Sequence, residues 1–231
     1  MTVSVVMPLY NARPYVGAAL DSILGQSRPP EEIIVVDDGS SDGSQDVVAG
    51  YGPAVRLLSQ DHRGPGTALN LGGRATTGDL IAFLDADDLW VPEKLALQIP
   101  VLDAEPALDG VFGHIVQFLS EDAAAVADRF VVPMQPMAGI NRTTFLLRRA
   151  ALDRFGWFDE ALGTSDFVPW WARAAALGFR HRVLDAVLAK RRIHLSNTGT
   201  LRRHDQQQES LLGLQQALAL RRRKRVGPAG T

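Results

Sequence analysis

The sequence predicts an α/β fold with a mostly parallel central sheet flanked by helices. Short apolar runs alternate with helix-period segments about every 20–25 residues through the first half, which is the pattern of βαβ units. These runs are apolar on both faces, as strands covered on both sides are. Three of the first four predicted strands end in polar, acidic or turn-forming segments: Tyr10-Asn11, Asp37-Asp38 and Asp85–Asp88. In open α/β sheets ligands bind at the carboxyl ends of the strands, so those segments mark a site.

Val3–Met7 is short, β-branched and followed by Pro8, and predicts the first strand. Val16, Leu20, Ile23 and Leu24 recur at helical spacing. Ile33–Val36 is a second apolar run, broken by Asp37-Asp38-Gly39-Ser40. Val47-Val48 predicts a short helix and Val55–Leu58 a third strand. Gly64-Pro65-Gly66 predicts a turn, with Thr67 capping a helix that reaches Arg74. Leu80–Leu84 predicts a fourth strand, ending at Asp85-Ala86-Asp87-Asp88. Pro92 suits a first helical position. Leu95, Ile99 and Leu102 give that helix an apolar face, and Pro100 is expected to kink or shorten it.

The second half is less regular. Gly110–Leu119 predicts a long strand, residues 120–140 a loop, and Thr143–Arg154 a helix broken by Gly156. Asp166–Leu177 predicts a helix carrying Trp170 and Trp171, and Arg182–Ala189 a further strand. Residues 201–225 predict an amphipathic helix with Leu211, Leu214 and Leu218 on one face, ending in Arg221–Arg225. With no repeat and no linker, residues 1–225 are expected to form a single domain with halves 1–109 and 110–225, followed by a tail at 226–231.

Composition narrows the function classes. The chain has 231 residues, 46% apolar and 22% charged, which excludes a disordered chain, a coiled coil or a collagen-like fibre. It has no cysteine, so disulfides, iron–sulfur clusters, cysteine-ligated zinc and a thiol nucleophile are excluded. No apolar run approaches the ~18 residues of a membrane span. The chain opens directly into Val3–Met7, so no secretion signal is expected and the expected location is cytoplasmic. The net charge of −2 hides an asymmetry: residues 1–109 carry 16 acids and 6 bases, and residues 110–231 carry 10 acids and 18 bases. An acidic half suits a divalent cation and a basic half suits phosphate.

Asp85-Ala86-Asp87-Asp88 puts three carboxylates at one strand end. Alternate residues of an extended strand share a side, so Asp85 and Asp87 can converge. Mg²⁺ and Mn²⁺ take oxygen ligands and complete their shells with phosphate. The competing explanation is acids gathered at a helix N-terminus, with Asp88 capping the helix near Pro92.

Together these segments resemble a bacterial family-2 glycosyltransferase with the GT-A fold, a single Rossmann-like domain. The resemblance rests on five elements in order: Val5–Asn11, Ser22–Ser27, Val36–Asp42, Gly64–Asn70 with Gly72, and Phe83–Asp88 with its DXD element. They cover roughly residues 3–100. One departure is Leu69, where the family often has Arg before the Asn.

The resemblance implies a nucleotide-sugar donor. By position, Asp38 would accept a hydrogen bond from the ring N–H of a uracil-type base, with Asp37 sharing that role. Pro8 and Tyr10 would shape the base slot. Asp85 would sit near the ribose, with Ala86 beside it, and Asp87 would ligate a Mn²⁺ or Mg²⁺ bridging the diphosphate. Asn70 would belong to the same donor site, although helix packing explains it nearly as well. The stretch Ser165–Arg173 resembles the family's catalytic helix and places the general base at Asp166, which also suits a helix N-cap. Arg191–Thr198 resembles its closing loop, in which Arg192 and His194 would hold the diphosphate and His194 could also ligate the metal.

Trp157, Trp170 and Trp171 are candidates for an acceptor pocket or for the core. The Arg221–Arg225 cluster suits anionic headgroups or a solvated helix end. The implied activity is inverting transfer of a sugar from a UDP- or dTDP-sugar to a carbohydrate, lipid-linked or other hydroxyl acceptor. No nucleic-acid partner is expected, and the location leaves room for peripheral contact at the inner face of the membrane. The alternatives are a catalytically degenerate nucleotide-sugar-binding protein, a sugar nucleotidyltransferase, and a phosphoacceptor domain that would leave the second half without a use.

Overall fold

The computed structural model describes residues 1–124, 135–161 and 167–195. The centre of the sheet forms from the β-branched runs. β1 (Val3–Leu9) lies between β2 (Glu32–Asp37) and β4 (Leu80–Phe83), parallel to both, and β3 (Arg56–Ser59) extends the parallel block beyond β2. The register pairs Val5 with Ile33 and Leu9 with Asp37, so the two strands end level.

The second half continues the same sheet. β8 (Leu146–Arg148) runs antiparallel along β4, and β6 (Gly110–Leu119) antiparallel along β8. β9 (His181–Ile193) then runs parallel to β6, and β5 (Leu89–Trp90) closes the edge antiparallel to β9. The order is β3-β2-β1-β4-β8-β6-β9-β5, with β7 (Met137–Gly139) paired to β6 off that path. β1–β4, β6 and β9 share one direction, so the sheet is mostly parallel as expected.

Alternation along each strand builds two cores. Val5, Met7 and Leu9 of β1 pack with Val16, Leu20 and Ile23 of α1 (Val16–Leu24) and with Leu95, Ile99 and Leu102 of α4 (Lys94–Ala104). Val6 of β1 and Phe83 of β4 face the other way. They meet Leu69 of α3 (Pro65–Ala75), Leu152 of α6 (Arg149–Phe155) and Trp170 of α7 (Phe167–Leu177). Gly72 lets α3 sit tight on the sheet, since a Cβ there would lie 2.5 Å from Val6 Cγ1. The second core is rich in aromatic rings: Phe112 stacks on Phe145 at 4.3 Å, and Trp170 is fully buried with its Nε1 donating to Gly156 O at 2.6 Å. Short helices α2 (Ser44–Ala49) and α5 (Glu121–Ala124), with a 3₁₀ turn at Gly52–Ala54, complete the described elements.

Several sequence expectations are corrected. Thr143–Arg154 is not one helix: Leu146 and Leu147 point into opposite cores and pair with β4 before α6 begins. The helix expected near Pro92 starts at Lys94, runs through Pro100 to Ala104, and is preceded by Glu93 rather than capped by Asp88. The segment expected to be a loop carries α5 and β7. The amphipathic helix expected over residues 201–225, the tail at 226–231, Ser196–Thr198 and the candidate base Asp166 lie outside the described residues.

Candidate active site

Because β1, β2, β4 and β9 share a direction, their carboxyl ends open on one edge of the sheet. That edge gathers Tyr10, Asp37, Asp38, Asp85, Asp87 and, from the far half of the chain, Arg192 and His194.

At the ends of β1 and β2, two turns are laced together. Asn11 N donates to Ser40 Oγ at 3.0 Å, and Ser41 N donates to Asn11 Oδ1 at 2.8 Å. Asn11 holds φ at +46°, a left-handed conformation that Asn tolerates. Asp37 accepts from Ser40 N at 3.2 Å and from Gln45 Nε2 at 2.9 Å, an Asx-type turn. Asp38 is buried, and its carboxylate is ringed by donors. Oδ1 accepts from Gln60 Nε2 at 2.6 Å and Arg63 N at 2.8 Å, Oδ2 accepts from Gly64 N at 2.9 Å, and His62 Nδ1 stands 3.1 Å from Oδ2. Tyr10 is half exposed and stacks on His62, ring centroids 4.2 Å apart. Pro8 sits in β1 opposite Val36.

At the end of β4 each carboxylate has a different neighbour. Asp85 Oδ1 accepts from Arg142 Nε at 3.0 Å and also from Nη2 of the same guanidinium. Ala86 is buried between the acids. Asp87 Oδ2 lies 3.0 Å from His194 Nε2, and Asp87 O accepts from Arg192 Nε at 2.9 Å. Asp88 turns inward, accepting from Arg192 N at 2.9 Å and from Thr143 Oγ1 at 3.1 Å. Its burial, reinforced by the charges of Asp87 and Asp85, pushes its carboxyl well above the usual range. Asp88 thus straps the end of β9 to the DXD turn.

Arg192 and His194 share an aromatic wall that no sequence motif singles out. The Arg192 guanidinium lies 5.1 Å from the Tyr15 ring centroid and 4.7 Å from that of Phe118, and the His194 ring lies 4.4 Å from Tyr15. Arg142 is the other unforeseen participant. No motif spacing betrays it, because only the antiparallel return of β8 to β4 brings it to Asp85.

Asn70 is accounted for by packing. It is buried, its Nδ2 donates to Phe158 O and Glu160 Oε1 at 2.9 Å each, and its Oδ1 accepts from Phe158 N at 3.0 Å. It ties α3 to the segment after α6. Trp170 belongs to the aromatic core rather than to an acceptor surface. Arg173 of α7 donates to Phe155 O at 3.1 Å and to Trp157 O.

A parallel-centred sheet with carboxylates at the β2 and β4 ends and a basic segment closing β9 is the layout of the GT-A fold. Solved structures of that fold match it. The mannosyltransferase PcManGT from Pyrobaculum calidifontis, in complex with GDP-Man and Mn²⁺, gives a TM-score of 0.70 at 24% identity, covering 94% of this chain and 64% of that one. S. aureus TarS 1–349 in complex with UDP-GlcNAc gives 0.69 at 24% identity, covering 87% and 61%.

The chain belongs to glycosyl transferase family 2, whose model matches residues 4–158. An uncharacterized glycosyltransferase of Rickettsia typhi is 30% identical over 211 residues, 85% of this chain and 65% of the relative. The Escherichia coli UDP-Glc:alpha-D-GlcNAc-diphosphoundecaprenol beta-1,3-glucosyltransferase WfgD is 30% identical over 162 residues, 66% of this chain and 62% of that protein. The chain therefore spans less than two thirds of these relatives' length.

Proposed function

We propose that this protein transfers a sugar from a nucleoside-diphosphate donor, UDP- or dTDP-linked, to a hydroxyl acceptor, with inversion at the anomeric carbon. The observation that supports it most is the meeting of Asp87, His194 and Arg192, which are distant in sequence, at the carboxyl ends of β4 and β9. Family membership and the fold support the same reading.

The donor set fits a divalent cation that is only partly held by protein. Among the described residues no group of three or more candidate ligands occurs. Asp87 and His194 would supply one carboxylate and one imidazole, leaving diphosphate oxygens and water to complete the shell of Mn²⁺ or Mg²⁺. Bound there, the cation would offset charge on the departing diphosphate. Arg192, already ordered by Asp87 and by the Tyr15 and Phe118 rings, adds a guanidinium to the same task.

Asp38, with Asp37 behind it, reads the base, and Pro8 and Tyr10 shape its slot. Asp85 and Ala86 face the ribose, Asp85 being oriented by Arg142. Asp166, directly ahead of α7, takes the proton of the acceptor hydroxyl. The hydroxyl oxygen forms the new bond to the anomeric carbon as the bond to the diphosphate oxygen breaks, and that electron pair leaves with the nucleotide. WfgD is named for a lipid-diphosphate-linked sugar acceptor, which makes a lipid-linked sugar the first acceptor class to try. No helix among the described residues is long and apolar enough to cross a membrane.

Calorimetric titration of UDP with Mn²⁺ and with EDTA tests the reading. UDP should bind more tightly with Mn²⁺ in the wild type, and Asp87→Ala should erase that difference while leaving the fold intact. Equal UDP affinity in Mn²⁺ and EDTA would refute the metal role.

A further inference from the structure

The surroundings of Asp38 do not leave room for a base to bind by simple addition. A carboxylate offers about four lone-pair positions. Gln60, Arg63 N and Gly64 N already donate to three of them, and His62 Nδ1 faces the fourth. An N–H from a base can enter only when one of these donors leaves. Two are backbone amides fixed by the turn into α3. The Gln60 side chain makes the shortest contact of the set, 2.6 Å. His62 is the exception: its side chain is 58% exposed, against 3% for Asp38.

The neighbours of His62 Nδ1 fix where its hydrogen sits. Nδ1 lies 3.1 Å from Asp38 O and 3.1 Å from Asp38 Oδ2. Both are acceptors, so Nδ1 carries the hydrogen. The same ring lies on Tyr10 with an interplanar angle of 25° and centroids 4.2 Å apart. His62 is therefore a flat aromatic ring that stacks on Tyr10 and points a ring N–H at Asp38. Tyr10 and Asp38 are the residues assigned above to the base of the donor.

From this coincidence we infer that His62 occupies the base subsite of the unliganded protein as an internal surrogate for the nucleobase, and that a donor binds by displacing it. The inference rests on the nucleotide reading of the Tyr10–Asp38 slot. Displacement is local. Removing one exposed side chain frees Asp38 O, the Oδ2 side of the carboxylate beside it and one face of Tyr10, while the other donors keep Asp38 fixed. The histidine then acts as a threshold: a ligand without a stacking ring and a ring N–H cannot replace what it removes. His62 is in this sense a specificity-determining residue, which favours nucleoside diphosphates over bare phosphates.

A binding protein whose competent state is partly blocked gains affinity when the block is removed. His62→Ala should bind UDP and uridine about three- to thirtyfold more tightly than the wild type, with pyrophosphate affinity unchanged. Isothermal titration of the full chain with those three ligands reads this. In the wild type, NMR of ¹⁵N-histidine should show one ring with a protonated Nδ1 that loses its signature on UDP saturation. Weaker UDP binding by His62→Ala would make His62 a wall of the bound slot and overturn the inference. Equal affinity, or a histidine signal untouched by saturating UDP, would overturn it too. Failure of both proteins to bind UDP, uridine or GDP would overturn the nucleotide reading and this inference together, whereas equal binding removes this inference alone.

Discussion

His194 Nε2 lies 3.0 Å from Asp87 Oδ2, although the two residues are 107 positions apart. The contact exists because β9 runs parallel to β6 and ends beside the DXD turn. If the pair shares a cation, His194→Ala should weaken Mn²⁺-dependent UDP binding and leave binding in EDTA unchanged. A loss of the same size in both buffers would assign His194 to the phosphates instead.

Asp88 is the strap between the two ends of the site. Asp88→Ala would leave Arg192 N and Thr143 Oγ1 without their acceptor, at a cost of about 1–3 kcal/mol. Asp88→Asn keeps one oxygen to accept from Arg192 N and can turn its amide N–H to Thr143 Oγ1, and should retain most of the stability. Urea denaturation of both variants checks this, and equal losses would show that the charge rather than the hydrogen bonds matters.

Lys94 is fully buried, with its Nζ 2.8 Å from Gln98 Oε1 and 4.2 Å from the Trp90 ring centroid. Burial holds its folded pKa well below the ordinary 10.5. Between the folded and unfolded values the unfolded chain binds the extra proton, so stability rises with pH across that window and levels off near the unfolded value. Lys94→Met removes this group at similar volume. Measured by urea midpoint from about pH 8 to about pH 10, the wild type should gain on the variant as pH rises. A pH-independent difference would contradict that sign.

Asp166→Asn keeps the shape of the side chain and a capping oxygen but cannot take a proton. With the acceptor in hand, turnover should fall about 10²–10⁴-fold while UDP affinity holds. Wild-type turnover would dismiss Asp166 as the base. Joint loss of UDP affinity and thermal stability would instead mark it as a helix cap. NMR of the product's anomeric coupling tests inversion without any mutation.

The parallel block and the helices beside it are legible in the sequence because continuous β-branched runs and apolar faces at helical spacing carry their own period. The strands β5, β7 and β8 are not, since two or three residues hold no period. Leu146-Leu147 shows the consequence: beside Thr143 and Arg149–Arg154 it reads as helical, and only the open edge of β4 makes it a strand. The acids at the strand ends can be found from chain order alone. Tyr15, His62 and Arg142 cannot, because each matters through a neighbour supplied by a remote segment, and none sits in a recognisable spacing. Asn70 lies in a motif, yet its hydrogen bonds run to Phe158 and Glu160.

The path of the sheet makes the acidic and basic halves inseparable. β8 fills the edge of β4, while β5, from the first half, reaches across to finish β9. A chain cut after Asp109 would carry an unpaired inner edge on β4 and a two-residue strand with no ladder to join. Each fragment would be prone to self-association, and the pair should recover only on co-expression, as fragments that complement one another. For protein engineers this rules out swapping the acceptor half as a module. New specificity has to be introduced within an intact sheet, at the loops that leave its carboxyl edge.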